Sequence, residues 1–370
     1  MRGVGREAIV PRMRPSLRLL LATAPRLGAL ACASRAPHAA GPSTSVAVRT
    51  DLAEAEAALA VLDAQAAGRG IPDDLWARLT ATAGYRRLGE RERGMGRPFT
   101  DSAFRAFLAS DTLRARHAAL RDAVARWRTV DVRAAAARAA AYLPAGTPLR
   151  ATLYPVIKPR DNSFVWDLDG DPAFFVYVDP AEPAARLENV IAHELHHVGY
   201  AAACRVGAAS PAPAGPASLQ AARRATARLW AGAFGEGLAM LAAAGGPNAH
   251  PQAASEDSVR ARWDRDVADA PADVARLAAF FADVLEGRLD APGAARARAA
   301  TFYGTQGPWY TVGWLMARTV ETTHGRERLL RELCDPGALL ATYDAAAARA
   351  GLPRWPAPVL AGLAAVPAAR

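Results

Sequence analysis

The chain has 370 residues, 51% of them hydrophobic and 22% charged, with a mean hydropathy near zero. That balance excludes a disordered chain or a collagen-like fibre, and three cysteines exclude a disulfide-dense miniprotein. Beyond the N-terminus every apolar run is broken before about 18 residues accumulate, which excludes a multi-pass membrane protein.

The formal charge of +9 is placed unevenly along the chain. Residues 1–35 hold seven Arg against a single acid, Glu7, and the remainder holds 38 basic and 35 acidic residues. No Arg stripe interleaved with aromatics follows, so nucleic acid is not an expected partner. The basic stretch from Arg2 to Arg18 and the apolar run from Leu19 to Ala33 read as a signal peptide over residues 1–33. Small-x-small sites stand at Ala29-Leu30-Ala31 and Ala31-Cys32-Ala33. The expected location is extracytoplasmic, secreted or periplasmic, without a transmembrane span in the mature chain. Lipidation at Cys32 is the lesser alternative.

Residues 34–50, rich in Pro, Ser and Ala, are expected to be a linker. From 51 to 145 the pattern is helical: Leu52, Ala55, Leu59 and Leu62 share one face, and Leu120, Val124 and Trp127 another. Pro72-Asp73-Asp74 and Thr100-Asp101-Ser102 are start signals, and Gly68-Arg69-Gly70 is a stop. The character changes at Pro144-Ala145-Gly146. Two β-branched and aromatic runs come next, Ala151–Ile157 and Ala173–Val178, separated by Asp167-Leu168-Asp169-Gly170-Asp171-Pro172. Those carboxylates read as a polar hairpin turn rather than a calcium loop, because the glycine comes too early for an EF-hand. Helices resume to about residue 350, and 351–370 reads as a tail. The expected fold is α+β and mainly α, a small antiparallel sheet packed on the helical core of residues 146–350.

Chemistry concentrates in Asn189-Val-Ile-Ala-His193-Glu194-Leu-His196-His197-Val198, an H-E-x-x-H in an apolar helical setting. Residues i and i+4 share a helix face, so His193 and His197 can direct imidazole nitrogens to one ion. Glu194 stands near that ion, where a carboxylate can take a proton from bound water. His196 is the spare, expected in a packing role. A catalytic zinc site normally takes three protein ligands. The metzincin extension would need Gly at 200 and His at 203, where the chain has Tyr200 and Ala203. Glu236, an acid isolated in the apolar run Trp230–Leu241, is the expected third ligand, with Glu256 as runner-up. Gly235 and Gly237 flank it and permit a close helix approach.

His193-Glu194-x-x-His197 followed by Glu236-Gly-Leu-Ala resembles the gluzincin clan that includes thermolysin and the aminopeptidase N type enzymes, the peptidase MA-like clan. The stretch from Phe164 to Tyr200 is similar to a bacterial family of proposed zinc-dependent peptidases, and the likeness covers roughly residues 150–335. It implies a zincin-like catalytic domain, one Zn2+ per chain and a peptide or protein substrate. The 39 positions from His197 to Glu236 are about twice the spacing of the best-known gluzincins. In Pro308-Trp-Tyr310-Thr-Val-Gly313 a Tyr stands three residues before a Gly at a helix start. By the resemblance Tyr310 stabilises the oxyanion, with Tyr303 as substitute.

The sequence therefore reads as a zinc metallopeptidase with Glu194 as general base. A zinc hydrolase of non-peptide substrates and a catalytically inactive zinc-containing binding protein stay open beside it. The strand at 173–178 is expected to offer an edge to an extended peptide. Cys204 and Cys334 either pair, as leftover thiols do in an oxidising compartment, or are small buried hydrophobes. Oligomeric state and substrate preference are not legible.

Overall fold

Strand β1 (Val46–Thr50) opens the first described segment of the computed structural model, inside the stretch expected to be linker. Residues 45–207 and 218–364 are described; the expected signal segment 1–33, with Cys32, lies outside them. Seven helices come after β1: α1 (Ala53–Ala66), α2 (Asp73–Thr80), α3 (Ala83–Gly94), α4 (Asp101–Leu108), α5 (Asp111–Ala115), α6 (His117–Trp127) and α7 (Val132–Ala140). Their limits follow local chemistry. α1 ends before Gly68 and Gly70, both at positive φ, where glycine carries no Cβ penalty. Thr100 caps α4 by accepting from the Ala103 N–H (3.2 Å). Ala55, Leu59 and Leu62 face the core, as do Leu120, Val124 and Trp127.

Three more strands, β2 (Leu149–Val156), β3 (Phe164–Trp166) and β4 (Ala173–Tyr177), complete a mixed sheet of order β1-β2-β4-β3. The expected antiparallel sheet is corrected here. β1 pairs parallel with β2 (Val46 opposite Leu149), and β2 parallel with β4 (Leu153 opposite Phe174); only β3 and β4 run antiparallel. Parallel neighbours need a long crossover, and helices α1–α7 are that crossover between β1 and β2. The helical stretch 51–145 thus shares one compact unit with the sheet and the later helices. The polar hairpin turn stands as read, joining β3 to β4. Its carboxylates Asp167 and Asp171 take the Arg87 guanidinium, at 3.3 and 2.9 Å. β4 lies inside the sheet, so the edge expected of it belongs to β3, a three-residue strand too short to register as periodicity.

The remaining helices are α8 (Ala184–Gly207), α9 (Leu219–Ala231), α10 (Gly235–Ala244), α11 (Asp257–Ala268), α12 (Ala270–Leu285), α13 (Ala294–Ala300), α14 (Pro308–His324), α15 (Arg326–Arg331), α16 (Pro336–Ala350) and α17 (Ala357–Leu363). A one-turn 3-10 helix, Gly232–Phe234, links α9 to α10. Ile191, Ala192, Leu195 and Val198 seat α8 in the core, and α10 packs between α8 and α14. Cys204 and Cys334 form a disulfide that ties α8 to the turn before α16. The stretch read as a tail carries α17, whose Val359 and Leu363 are buried against α9 and α12. Among the described residues no helix is long and apolar enough to cross a membrane.

Glu54 on α1 is wholly buried beneath the sheet's end. Its Oε2 accepts from the Ile157 N–H (2.9 Å), while Oε1 has no partner. Burial pushes its pKa up to about 8, against the pull of that N–H and of the Lys158 ammonium. The folded state therefore keeps a proton that the unfolded chain releases above the ordinary value of 4.5. The stability this group contributes is full below pH 4.5 and is lost as pH rises toward 8. Between pH 5 and 7 the loss approaches about 1.4 kcal/mol per pH unit. Above pH 7, Lys158, pushed down to about 7 by burial, acts in the opposite sense. Denaturant titrations from pH 5 to 7 should show stability falling with pH and Glu54→Gln flattening the fall. Equal slopes in the two proteins would contradict this account.

Candidate metal centre

Helix geometry sets the first two donors. On α8 the His193 and His197 rings stand edge to face with centroids 4.7 Å apart, and their Nε2 atoms lie 3.0 Å from each other. The third donor comes from the first turn of α10. Glu236 Oε2 lies 3.2 Å from His193 Nε2 and 3.1 Å from His197 Nε2. Ligand atoms of these three residues all fall within 4.8 Å of one another. Glu256, the runner-up, is exposed at the N-cap of α11 and is not in this group.

Two glycines let the carboxylate arrive there. A Cβ on Gly237 would sit 2.0 Å from the Trp314 backbone nitrogen and 2.5 Å from Gly313 Cα. One on Gly313 would sit 2.7 Å from the Phe234 carbonyl oxygen. The backbones of α10 and α14 therefore touch where Glu236 turns toward α8. Gly235, read as sharing this role, has open space instead. Arg138 on α7 sets the other spacing: it donates to Asn189 Oδ1 of α8 (2.6 Å) and to the Ala243 carbonyl of α10 (3.1 Å).

Two imidazoles and one carboxylate are the donor set of a catalytic zinc site. The electrostatics agree. Burial opposes a charge on His197, yet Glu236 and Glu194 hold its pKa up at about 9. Burial likewise opposes a charge on Glu236, yet the two imidazoles keep its carboxyl far below the usual range. A field that keeps a proton this firmly also favours a cation. His196 faces away, wholly buried, with Nε2 3.3 Å from the Tyr142 carbonyl oxygen. Burial, then the neighbouring His197 and His193, pushes it down to about 3, so it packs as a neutral ring.

Glu194 is buried, and burial raises its pKa against the lowering pull of both imidazoles. With His193 and Tyr310 it lines a cleft of about 330 Å³. Tyr310 lies nearly parallel to the His193 ring, with centroids 6.2 Å apart. Burial, then the Glu236 and Glu194 charges, holds its phenol well above the ordinary range. Tyr303, the substitute, lines a second hollow with His197 and Glu236. The structure thus gathers His193, Glu194, His197, Glu236 and Tyr310 at one place.

Sequence reasoning missed part of the cleft's lining. Asp161, Asn162 and Ser163, which line the cleft, come from the loop before β3. Lys158, only 3% exposed, holds that loop. Its Nζ donates to Asn162 Oδ1 (2.9 Å) and to the Arg160 carbonyl, and lies 5.5 and 5.7 Å from the Phe164 and Tyr177 ring centroids. Among 45 basic residues it is the one lysine. That solitude was the available signal, since a compact ammonium on a flexible stem is not interchangeable with a planar guanidinium fork. A second missed group also lines the cleft: Arg186 donates to Ser255 Oγ (2.7 Å) and Gln252 Oε1 (3.2 Å), and Gln252 donates to Gln306 (2.8 Å). Gln306 has φ of 60°, a strained conformation for a non-glycine residue, in the loop before α14.

A family model matches residues 76–351, well over half of the chain, and carries the description "Putative zinc dependent peptidase (DUF5700)". The chain belongs to this family. No curated protein matches the chain, and no solved structure does. The span of DUF5700 takes in all five gathered residues, the Lys158 loop and the Arg186–Gln252–Gln306 group. It begins inside α2, so β1 and α1 lie before it.

Proposed function

We propose that this DUF5700 member is a gluzincin-type zinc metallopeptidase, in the peptidase MA-like clan, with one zinc per chain. The single observation that carries the reading is the convergence of His193, His197 and Glu236 beside a buried Glu194 in an open cleft. Zinc on these three donors supplies Lewis-acid chemistry, acidifying a water and polarising a carbonyl. Glu194 takes the water's proton and delivers it to the leaving amine. Tyr310 donates its O–H to the developing oxyanion. Asn162 and Ser163, ahead of the edge strand β3, offer hydrogen bonds to an extended main chain. Glu194 also separates this reading from an inactive zinc protein, which has no use for a buried carboxylate in the cleft. An extracytoplasmic location belongs to the same proposal and is supported by the Cys204–Cys334 disulfide.

The zinc-loaded protein should hydrolyse a peptide library, lose that activity to a chelator and regain it with Zn2+. Tyr310→Phe should keep zinc and fold while kcat falls by about 10²–10³, the scale for losing one oxyanion donor. Hydrolysis indifferent to chelation would sink the reading. Unchanged kcat in Tyr310→Phe would return that ring to packing and turn attention to Tyr303.

A further inference from the structure

The two hollows beside the three donors differ in chemistry. On the His193–Tyr310 side the lining is rich in hydrogen-bonding groups, among them Asn162, Ser163, Asn189, Gln252 and Gln306. On the His197–Glu236 side a hollow of about 340 Å³ is walled by Tyr200, Leu229, Trp230 and Tyr303. Trp230 is braced edge to face by Phe280, with centroids 6.5 Å apart. Beyond Leu229 and Trp230 the surface passes into a further hollow bounded by Leu219, Val284 and Leu289, with the Arg223–Asp290 ion pair and Arg296 also on its border.

Helix α9 makes this surface continuous. Leu219, Ala222, Thr226 and Leu229 recur at helical spacing and all border the outer hollow, while Ala227 and Ala231 on the other face are buried. Leu219 is 62% and Leu229 73% exposed, two of the four exposed large hydrophobics among the described residues. A single exposed Leu needs no account, but an apolar path leading away from a metal centre does. At 1.5 Å per helical residue the path is about 15 Å long, the reach of four to five residues of extended peptide.

The geometry points to a substrate-binding path along α9 that takes aromatic and aliphatic side chains on one side of the scissile bond, opposite hydrogen-bonding side chains in the polar cleft. This deepens the peptidase reading and rests on it. The occupant is the apolar half of an extended peptide, because the path begins at His197 and Glu236 themselves. Leu229→Ser is the informative variant, since so exposed a side chain contributes little to folding.

Product termini from a peptide library cut by the zinc-loaded chain should carry aromatic or aliphatic residues on one constant side of the cut. Leu229→Ser should raise KM roughly tenfold for such peptides, leave kcat and zinc content alone, and spare peptides with Ser at that place. Binding gives a readout without turnover. A fluorescent Phe/Leu peptide titrated onto zinc-loaded Glu194→Gln protein should bind roughly tenfold more weakly when Leu229→Ser is added. Leu229-dependent binding with no cleavage by wild type would keep the path and sink the peptidase reading. Cleavage without apolar preference, with binding indifferent to Leu229, would sink the path and keep the peptidase. Concentration-dependent dimers abolished by Leu229→Ser would assign the surface to a second copy and overturn the proposal.

Discussion

Replacing Glu194 by Gln should leave one zinc in place, preserve the fold and lower kcat by about 10²–10⁴, the usual contribution of a positioned acid–base group. The amide matches the carboxyl in size and shape but takes no proton from water. Burial opposes the charge on this carboxyl more than the two imidazoles support it. Thermal stability of the variant should therefore equal or exceed that of wild type. The raised pKa suits the role, because a base too weak to accept a proton and an acid too weak to return it both slow turnover. Peptide hydrolysis, zinc content and a melting curve on the same two samples check all parts together. Unchanged kcat would remove Glu194 from the chemistry, and loss of zinc would make it a structural residue.

Gly237→Ala should be among the most disruptive single-methyl changes available to this chain. Its Cβ would fall 2.2 Å from the Gly313 carbonyl carbon and 2.0 Å from the Trp314 nitrogen, and backbone does not rotate aside as a side chain does. Relief requires α10 and α14 to separate. Overpacking of this kind costs about 1–3 kcal/mol and more where the neighbour is main chain. The same movement carries Glu236 off the imidazoles, so zinc affinity should fall along with stability. Gly235→Ala, two residues away with open space around it, is the control and should be near neutral. Equal behaviour of the two variants, by denaturant titration and zinc content, would contradict the helix contact.

The contrast between those glycines marks how far the sequence could be read. The i, i+4 spacing of His193 and His197 fixes its own geometry, because both lie on one helix and no tertiary information is needed. Glu236 is isolated in an apolar run, and burial of an unpaired acid already demands a cationic partner nearby. Which flanking glycine meets another helix depends on the rotation of α10 against α14, and no periodicity encodes that. The sheet failed for a related reason: β1 and β2 pair across nearly a hundred residues, so their parallel sense is a property of the crossover. β3 has three residues, below the length at which alternation is legible. Lys158 was visible as the one lysine of the chain, yet its meaning needs the loop and the rings it holds together. The thiols of Cys204 and Cys334 are 130 positions apart, and only the packing of α8 against the turn before α16 brings them together.

Metal content decides whether His193, His197 and Glu236 hold zinc. The purified protein, dialysed against metal-free buffer and measured by elemental mass spectrometry beside its concentration, should carry about one zinc per chain. Glu194→Gln and Tyr310→Phe should carry the same, whereas His193→Ala and Glu236→Ala should each fall to a small fraction of it. Full zinc occupancy in Glu236→Ala and His193→Ala, or a wild-type chain that takes up no zinc, would contradict the account.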